Sequence, residues 1–232
     1  MASSKTFGIL GGMGPEATAE LYKKIIDIYQ SKYGAKYDSD YPTIFIYNLP
    51  LPDIVQSLVY DENVSRMVEN AVNKLKSIGC EFIAVPCNTV FCAISSLTFD
   101  VSLMNIVEET CAEASRRNVK KVGLLATRNT TKSKLYESFS SLEFLQLSDY
   151  EQEKVNEIIL RILAGFKRID DREYIRTLVR NFEKRGADAV ILGCTELSLL
   201  ISQFDCDVEI LDSLQILSEA IVRMAVNVGE SI

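Results

Sequence analysis

Histidine is missing from all 232 residues, and so is tryptophan. Without imidazole there is no Ser–His or Cys–His nucleophile pair, and no side chain whose ordinary pKa lies near neutrality. Chemistry falls to thiols, carboxylates, lysines, tyrosines and the backbone. The six cysteines, Cys80, Cys87, Cys92, Cys111, Cys194 and Cys206, form no Cys-x-x-Cys pair. With no histidine beside them, neither a zinc site nor a disulfide framework is favoured. Positive charge is also short: 25 Lys and Arg face 32 Asp and Glu, a net charge of −7. Nucleic acid and anionic membrane surfaces call for clustered cations, so neither is expected as a partner. No apolar run approaches the roughly 20 residues of a membrane span. The opening Met1-Ala-Ser-Ser-Lys-Thr6 leads straight into Phe7-Gly-Ile-Leu10 without the regions of a signal peptide. A cytoplasmic protein is expected.

What is present is a repeat. Gly79-Cys-Glu-Phe-Ile-Ala-Val-Pro-Cys-Asn-Thr89 aligns without a gap with Gly186-Ala-Asp-Ala-Val-Ile-Leu-Gly-Cys-Thr-Glu196. Each is a Gly, a short polar link, an apolar run, then a Cys followed by a hydroxyl or amide residue. The runs at 82–85 and 189–192 have the length and apolar content of buried parallel strands. A second pair of matching stretches starts each half, Lys5-Thr-Phe-Gly-Ile-Leu-Gly-Gly12 and Lys120-Lys-Val-Gly-Leu-Leu-Ala-Thr127. Between these strands, helical periodicity is expected from Pro15 to about residue 30, and over 61–78, 107–117, 132–142, about 149–163, 170–185 and 213–228. Further strands are expected at 43–47, 102–106, 144–147 and 208–211.

Strands alternating with helices predict an α/β fold: two pseudo-symmetric, Rossmann-like domains, each a parallel four-stranded sheet flanked by helices, with a cleft between them. The expected boundaries are 1–101 with 208–232 for the domain carrying Cys87, and 102–207 for the one carrying Cys194. Both cysteines then end a strand where open α/β sheets place ligands. A following helix N-terminus would favour thiolate at each. The other four cysteines read as small core hydrophobes.

Two thiols facing each other without histidine suit proton transfer at a carbon acid: one thiolate removes a proton, and a thiol on the opposite face returns one. The substrate carboxylate that takes up charge needs donors, which Asn88, Thr89 and Thr195 supply if they do not simply cap helices. Thr127 and Thr130 are placed to line the same cleft. Gly11-Gly-Met-Gly14 fits neither G-x-G-x-x-G nor a P-loop, and the second strand ends in Asn48 where a ribose-binding acid would stand. The loop reads as a close approach of backbone to a small anion. Glu196 is placed to tune Cys194 or to cap.

These motifs, Gly8-Ile-Leu-Gly-Gly-Met-Gly-Pro15, Pro86-Cys-Asn-Thr89, Val122-Gly-Leu-Leu-Ala-Thr127 and Gly193-Cys-Thr-Glu196, resemble those of the cofactor-independent aspartate/glutamate racemase superfamily, and its aspartate racemase branch above all. The resemblance spans nearly the whole chain. It implies an isomerase acting on a small anionic amino acid, with aspartate first and glutamate second. It also implies a homodimer, no pyridoxal phosphate and no metal. Cys87 and Cys194 would be the acid/base pair, with Asn88, Thr89 and Thr195 holding the α-carboxylate and Met13 lining the site; Asn48, Thr127 and Thr130, read from their places in the chain, are expected as further substrate contacts. Members of the branch often carry an Arg after the Pro-Asp that follows the second strand and a Lys before the Ala-Gly that ends the long helix. Ile54 and Leu163 stand there instead. Arg128, Arg161, Lys167 and Arg168 are the cations able to replace them. A maleate isomerase, a hydantoin racemase, or a ligand-binding protein that kept the fold are the alternative readings.

Overall fold

A computed structural model describes residues 4–52, 55 and 62–226. The chain alternates strands and helices in the order β1 (Phe7–Gly11), α1 (Pro15–Tyr33), β2 (Ile44–Asn48), α2 (Glu62–Ser77), β3 (Phe82–Val85), α3 (Phe91–Ile94), β4 (Ser102–Asn105), α4 (Ile106–Arg116), β5 (Lys121–Leu125), α5 (Arg128–Lys132), β6 (Glu143–Leu145), α6 (Asp149–Leu163), α7 (Ile169–Lys184), β7 (Ala189–Leu192), β8 (Glu209–Asp212) and α8 (Ser213–Ala225). The strands form two four-stranded sheets, ordered β2-β1-β3-β4 and β6-β5-β7-β8, with every pair parallel. The identical order is the expected two-fold repeat. In each sheet the chain reverses winding direction between the first strand of the half and the third. The carboxyl ends of β1 and β3, and of β5 and β7, are therefore the crevices where such sheets hold ligands.

Local chemistry accounts for the elements. β3 and β7 are buried along their whole length, as expected of central parallel strands. α1 starts with Pro15 in its first turn and ends at Gly34, whose φ of 67° is the left-handed cap that glycine adopts without cost. Ser148 accepts from the Glu151 amide while Glu151 bonds back, a capping box that starts α6. Asp212 accepts from the amides of Leu214 and Gln215 and so starts α8. Among the described residues no helix is long and apolar enough to cross a membrane.

The halves divide differently from the expected boundaries. The strand at Ser102–Asn105 pairs with β3 in the first sheet, and Glu209–Asp212 pairs with β7 in the second. Among the described residues after 208, α8 returns to the first half, where it packs on α1 and α4. Both misplaced strands sit on sheet edges, where a short strand reads the same whichever neighbour it joins. α4 and α8 also bury Ile106, Val107, Leu214 and Leu217 in one apolar cluster with Leu124, Ile191 and Leu211 of the second sheet. The two halves thus share a core. A separate cluster of α6 and α7, built on Val155, Ile159, Leu178 and Phe182, covers the other face of the second sheet.

Three helices are shorter than expected. The helix expected from residue 132 is instead the single short turn α5, followed by turns to residue 138, with Lys134 at φ 53° breaking helical geometry. Beyond it Leu135 and Tyr136 drop into the core. The helix expected directly after Cys87 is the one-turn α3, and Cys194 is followed only by a 3-10 turn at Leu197–Leu199.

Candidate active site

A cavity of about 150 Å³ opens between the carboxyl ends of the two sheets. Its walls include Cys87, Asn88 and Thr89 from the end of β3, Thr127 from the end of β5, and Cys194, Thr195 and Glu196 from the end of β7. Met13 joins them from the loop between β1 and α1. The two cysteines read from the repeat therefore line one space from two different sheets. Two expected positions do not line it. Asn48 is exposed at the tip of β2. Thr130 is fully buried behind the wall, where its hydroxyl lies 3.2 Å from that of Thr89 and 3.1 Å from that of Thr127. With Thr89 and Thr127 3.0 Å apart, the three hydroxyls close a ring. Thr130 thus holds the two threonines that face the cavity.

The glycine loop has a different partner from the one expected. Gly12 sits at φ +92°, and a Cβ there would lie 2.6 Å from the backbone of Leu49, so only glycine lets the loop cross the end of β2. Thr18 Oγ1 accepts from the Gly12 amide at 3.0 Å and donates to the Gly14 carbonyl at 2.9 Å, tying the loop to α1. A Cβ on Gly14 would lie 2.8 Å from Glu196 Oε1, and the Gly14 backbone hydrogen-bonds that carboxylate. The anion that the loop approaches is the protein's own Glu196.

Glu196 is buried and accepts from two neighbours: Cys194 Sγ donates to its Oε2 at 3.0 Å, and Thr195 Oγ1 donates to the same oxygen at 3.2 Å. Burial lifts its pKa above the ordinary carboxylate value, and these hydrogen bonds hold it down in part. Burial pushes the Cys87 thiol up to about 12, against the pull of the Val90 backbone. Cys194 is raised well above its ordinary value, first by burial and then by the negative charge of Glu196. The expected helix-dipole lowering is overturned: one-turn helices carry little dipole, and the desolvated wall outweighs it. At rest both thiols are protonated, and Cys194 points its proton at a carboxylate.

Asn88 is fixed by a buried chain of bonds that no motif announced. Tyr136, fully buried, donates to Asn88 Oδ1 at 2.8 Å. Asn88 Nδ2 donates to Ser213 Oγ at 3.3 Å, and Ser213 donates to the Leu192 carbonyl at 2.7 Å. The chain ties the residue after Cys87 to the strand that leads to Cys194, and it fixes which way the amide points. Tyr136→Phe leaves Asn88 Oδ1 without this donor. It is expected to raise KM about tenfold by freeing the amide to turn, with a stability loss of about 1–3 kcal/mol; steady-state kinetics and thermal unfolding check both.

None of the four cations proposed from the sequence reaches the cavity. Arg161 is clamped by both oxygens of Asp171, at 3.0 and 2.6 Å. Arg128 pairs with Glu153, and Lys167 with Glu16 of α1. Arg168 is exposed at the start of α7. Leu163 does line the cavity, together with Leu51, Pro52 and Val55, whereas Ile54 lies outside the described residues. Among the described residues no group of three Cys, Asp or Glu side chains is placed to hold a metal ion.

Residues 10–221 match the family model described as Asp/Glu/Hydantoin racemase. The chain is 32% identical over 224 residues to the broad specificity amino-acid racemase RacX of Bacillus subtilis, covering 93% of this chain and 96% of that one. Among solved structures it resembles the aspartate racemase of Picrophilus torridus, with a TM-score of 0.80 at 27% identity over 95% of this chain and 94% of that one. It equally resembles an aspartate racemase homologue from Pyrococcus horikoshii, with a TM-score of 0.80 at 33% identity over 96% and 99%. The two parallel sheets, the cleft between their carboxyl ends and the match over most of the length agree: the chain belongs to the Asp/Glu/hydantoin racemase family.

Proposed function

We propose that the protein racemises an α-amino acid by proton transfer between Cys87 and Cys194, without a cofactor. The observation that carries this reading is the arrival of both cysteines, from equivalent ends of two repeated units, at one cavity. The Cα–H lies between them. In one direction Cys194 passes its proton to Glu196, and the resulting thiolate removes the Cα proton. The carbanion's charge spreads into the α-carboxylate, which faces the neutral polar groups of Asn88, Thr89, Thr127 and Thr195. Cys87 then donates its proton to the opposite face of Cα, which inverts the centre. The enzyme leaves the turnover with thiolate at Cys87, thiol at Cys194 and Glu196 protonated, the form that accepts the other enantiomer. Exchange with water interconverts the two forms.

Raised thiol pKa values suit this task better than low ones. A Cα–H is a very weak acid, so the base that removes its proton must itself be strong, and a thiol buried away from water becomes one. The cost is a small resting thiolate population, which Glu196 offsets on the Cys194 side.

Aspartate is the substrate that resemblance suggests, and the two similar structures carry that name. The cavity wall does not favour it, since no cation of the described residues lines the space. The reaction is tested by incubating the protein with single enantiomers and following the opposite one by chiral chromatography. Interconversion of at least one amino acid is expected. A full panel that remains optically pure would sink the proposal.

A further inference from the structure

Building on the racemase reading, we propose that the substrate carries an uncharged aliphatic side chain, read by Met13, Leu51, Pro52 and Leu163. The cavity has two chemically distinct walls. The cysteines and the donors Asn88, Thr89, Thr127 and Thr195 lie at strand ends, where they serve the α-carbon and its carboxylate. The remaining wall is apolar, coming from the loop after β1, the segment after β2 and the end of α6. Leu163 closes on it tightly, with Cδ2 2.8 Å from where a Cβ on Gly14 would stand.

A second carboxylate, on an acidic side chain, would enter this wall without a cationic partner among the described residues. The cations read from the sequence do not line it, and three are ion-paired elsewhere: Arg128 to Glu153, Arg161 to Asp171 and Lys167 to Glu16. The sequence at 53–61, Asp-Ile-Val-Gln-Ser-Leu-Val-Tyr-Asp, contains no Lys or Arg. Apart from the thiols, the one ionisable group lining the cavity among the described residues is Glu196, whose charge repels an anion. An ionised carboxylate removed from water without a counter-charge is strongly disfavoured. A cationic side chain would meet only Glu196, whose charge is already shared among Cys194, Thr195 and the Gly14 backbone, and the apolar wall would still carry its ammonium out of water. An aliphatic side chain gains from every methylene that it buries, and an apolar pocket separates homologues weakly. Tolerance among aliphatic side chains and rejection of charged ones follow together.

The test offers the protein each enantiomer of alanine, leucine, methionine, aspartate, glutamate and lysine, with initial rates from chiral chromatography. Leucine and methionine are expected to exceed aspartate, glutamate and lysine in kcat/KM by at least ~10²-fold, the scale set by leaving a charged group unpaired. Highest activity on aspartate, glutamate or lysine would overturn the inference while leaving two-thiol racemisation standing. No turnover of any of the six would overturn both. Leu163→Lys, at the partly exposed end of α6 where folding tolerates it, should raise the ratio of aspartate to leucine activity at least tenfold. An unchanged ratio would remove Leu163 from the proposed wall.

Discussion

Cys87→Ser and Cys194→Ser are each expected to lower kcat/KM for racemisation by at least ~10³-fold, in both directions equally. A serine hydroxyl is too weak an acid to form the base that a Cα–H demands, and it donates its proton far more reluctantly than a thiol. Equality follows from thermodynamics. Enantiomers are equal in free energy, so the ratio of the two kcat/KM values equals one in any variant that racemises. Isotope exchange is free of that constraint. Each variant keeps one thiol and so can still remove and return a proton on one face of Cα. In D2O the Cys87→Ser protein should wash deuterium into one enantiomer with retention, and the Cys194→Ser protein into the other. Both cysteines are about 95% buried, and serine is smaller. Far-ultraviolet circular dichroism and a thermal melt establish that lost turnover is not lost structure. A variant that still racemises at a rate near the parent's would remove its cysteine from the reaction.

Glu196→Gln is expected to lower kcat/KM by about 10²–10³-fold and to change its pH dependence. The amide keeps the shape of the side chain and an oxygen able to accept from Thr195. It cannot take the Cys194 proton. In the parent, Glu196 serves only while ionised, and burial raises its pKa above the ordinary 4.5. As the pH falls through that raised value, the carboxyl gains a proton and can no longer accept the one on Cys194, so activity declines. This acidic limb should vanish in the Gln variant and persist at a reduced rate in Glu196→Asp. If Glu196 were only a structural anchor for the Gly14 loop, the Gln variant would lose stability and keep the parent's pH profile.

The sequence carried the central arrangement because repetition and burial left their marks in it. Phe82–Val85 and Ala189–Leu192 are continuous apolar runs, and the structure returns both as strands with those limits. The edge strands β4 and β8 were harder to assign, since a four-residue strand does not say which sheet it will join. Thr127 and Thr130 were both read as lining the cleft, but only the ring of three hydroxyls separates the residue that faces the cavity from the one behind it. Tyr136 and Ser213 were invisible as site residues because their roles depend on contacts with Asn88 across 48 and 125 positions of chain. The thiol acidity inferred from following helices failed for a physical reason. Helix length sets the dipole, and α3 is a single turn, whereas burial of a thiol depends on walls that come from the other half of the molecule.

The proposed action of the two thiols on opposite faces of one α-carbon is tested most directly by the fate of its hydrogen. A protiated single enantiomer of the amino acid that the protein turns over fastest is incubated in D2O, and both enantiomers are separated and weighed by mass spectrometry within the first few per cent of conversion. Two-thiol transfer predicts that the newly formed enantiomer carries deuterium at Cα in nearly every molecule, while the remaining starting enantiomer keeps its protium. Product that retains the substrate's own protium would mean that a single group moves the hydrogen from one face to the other, and would contradict the pairing of Cys87 with Cys194.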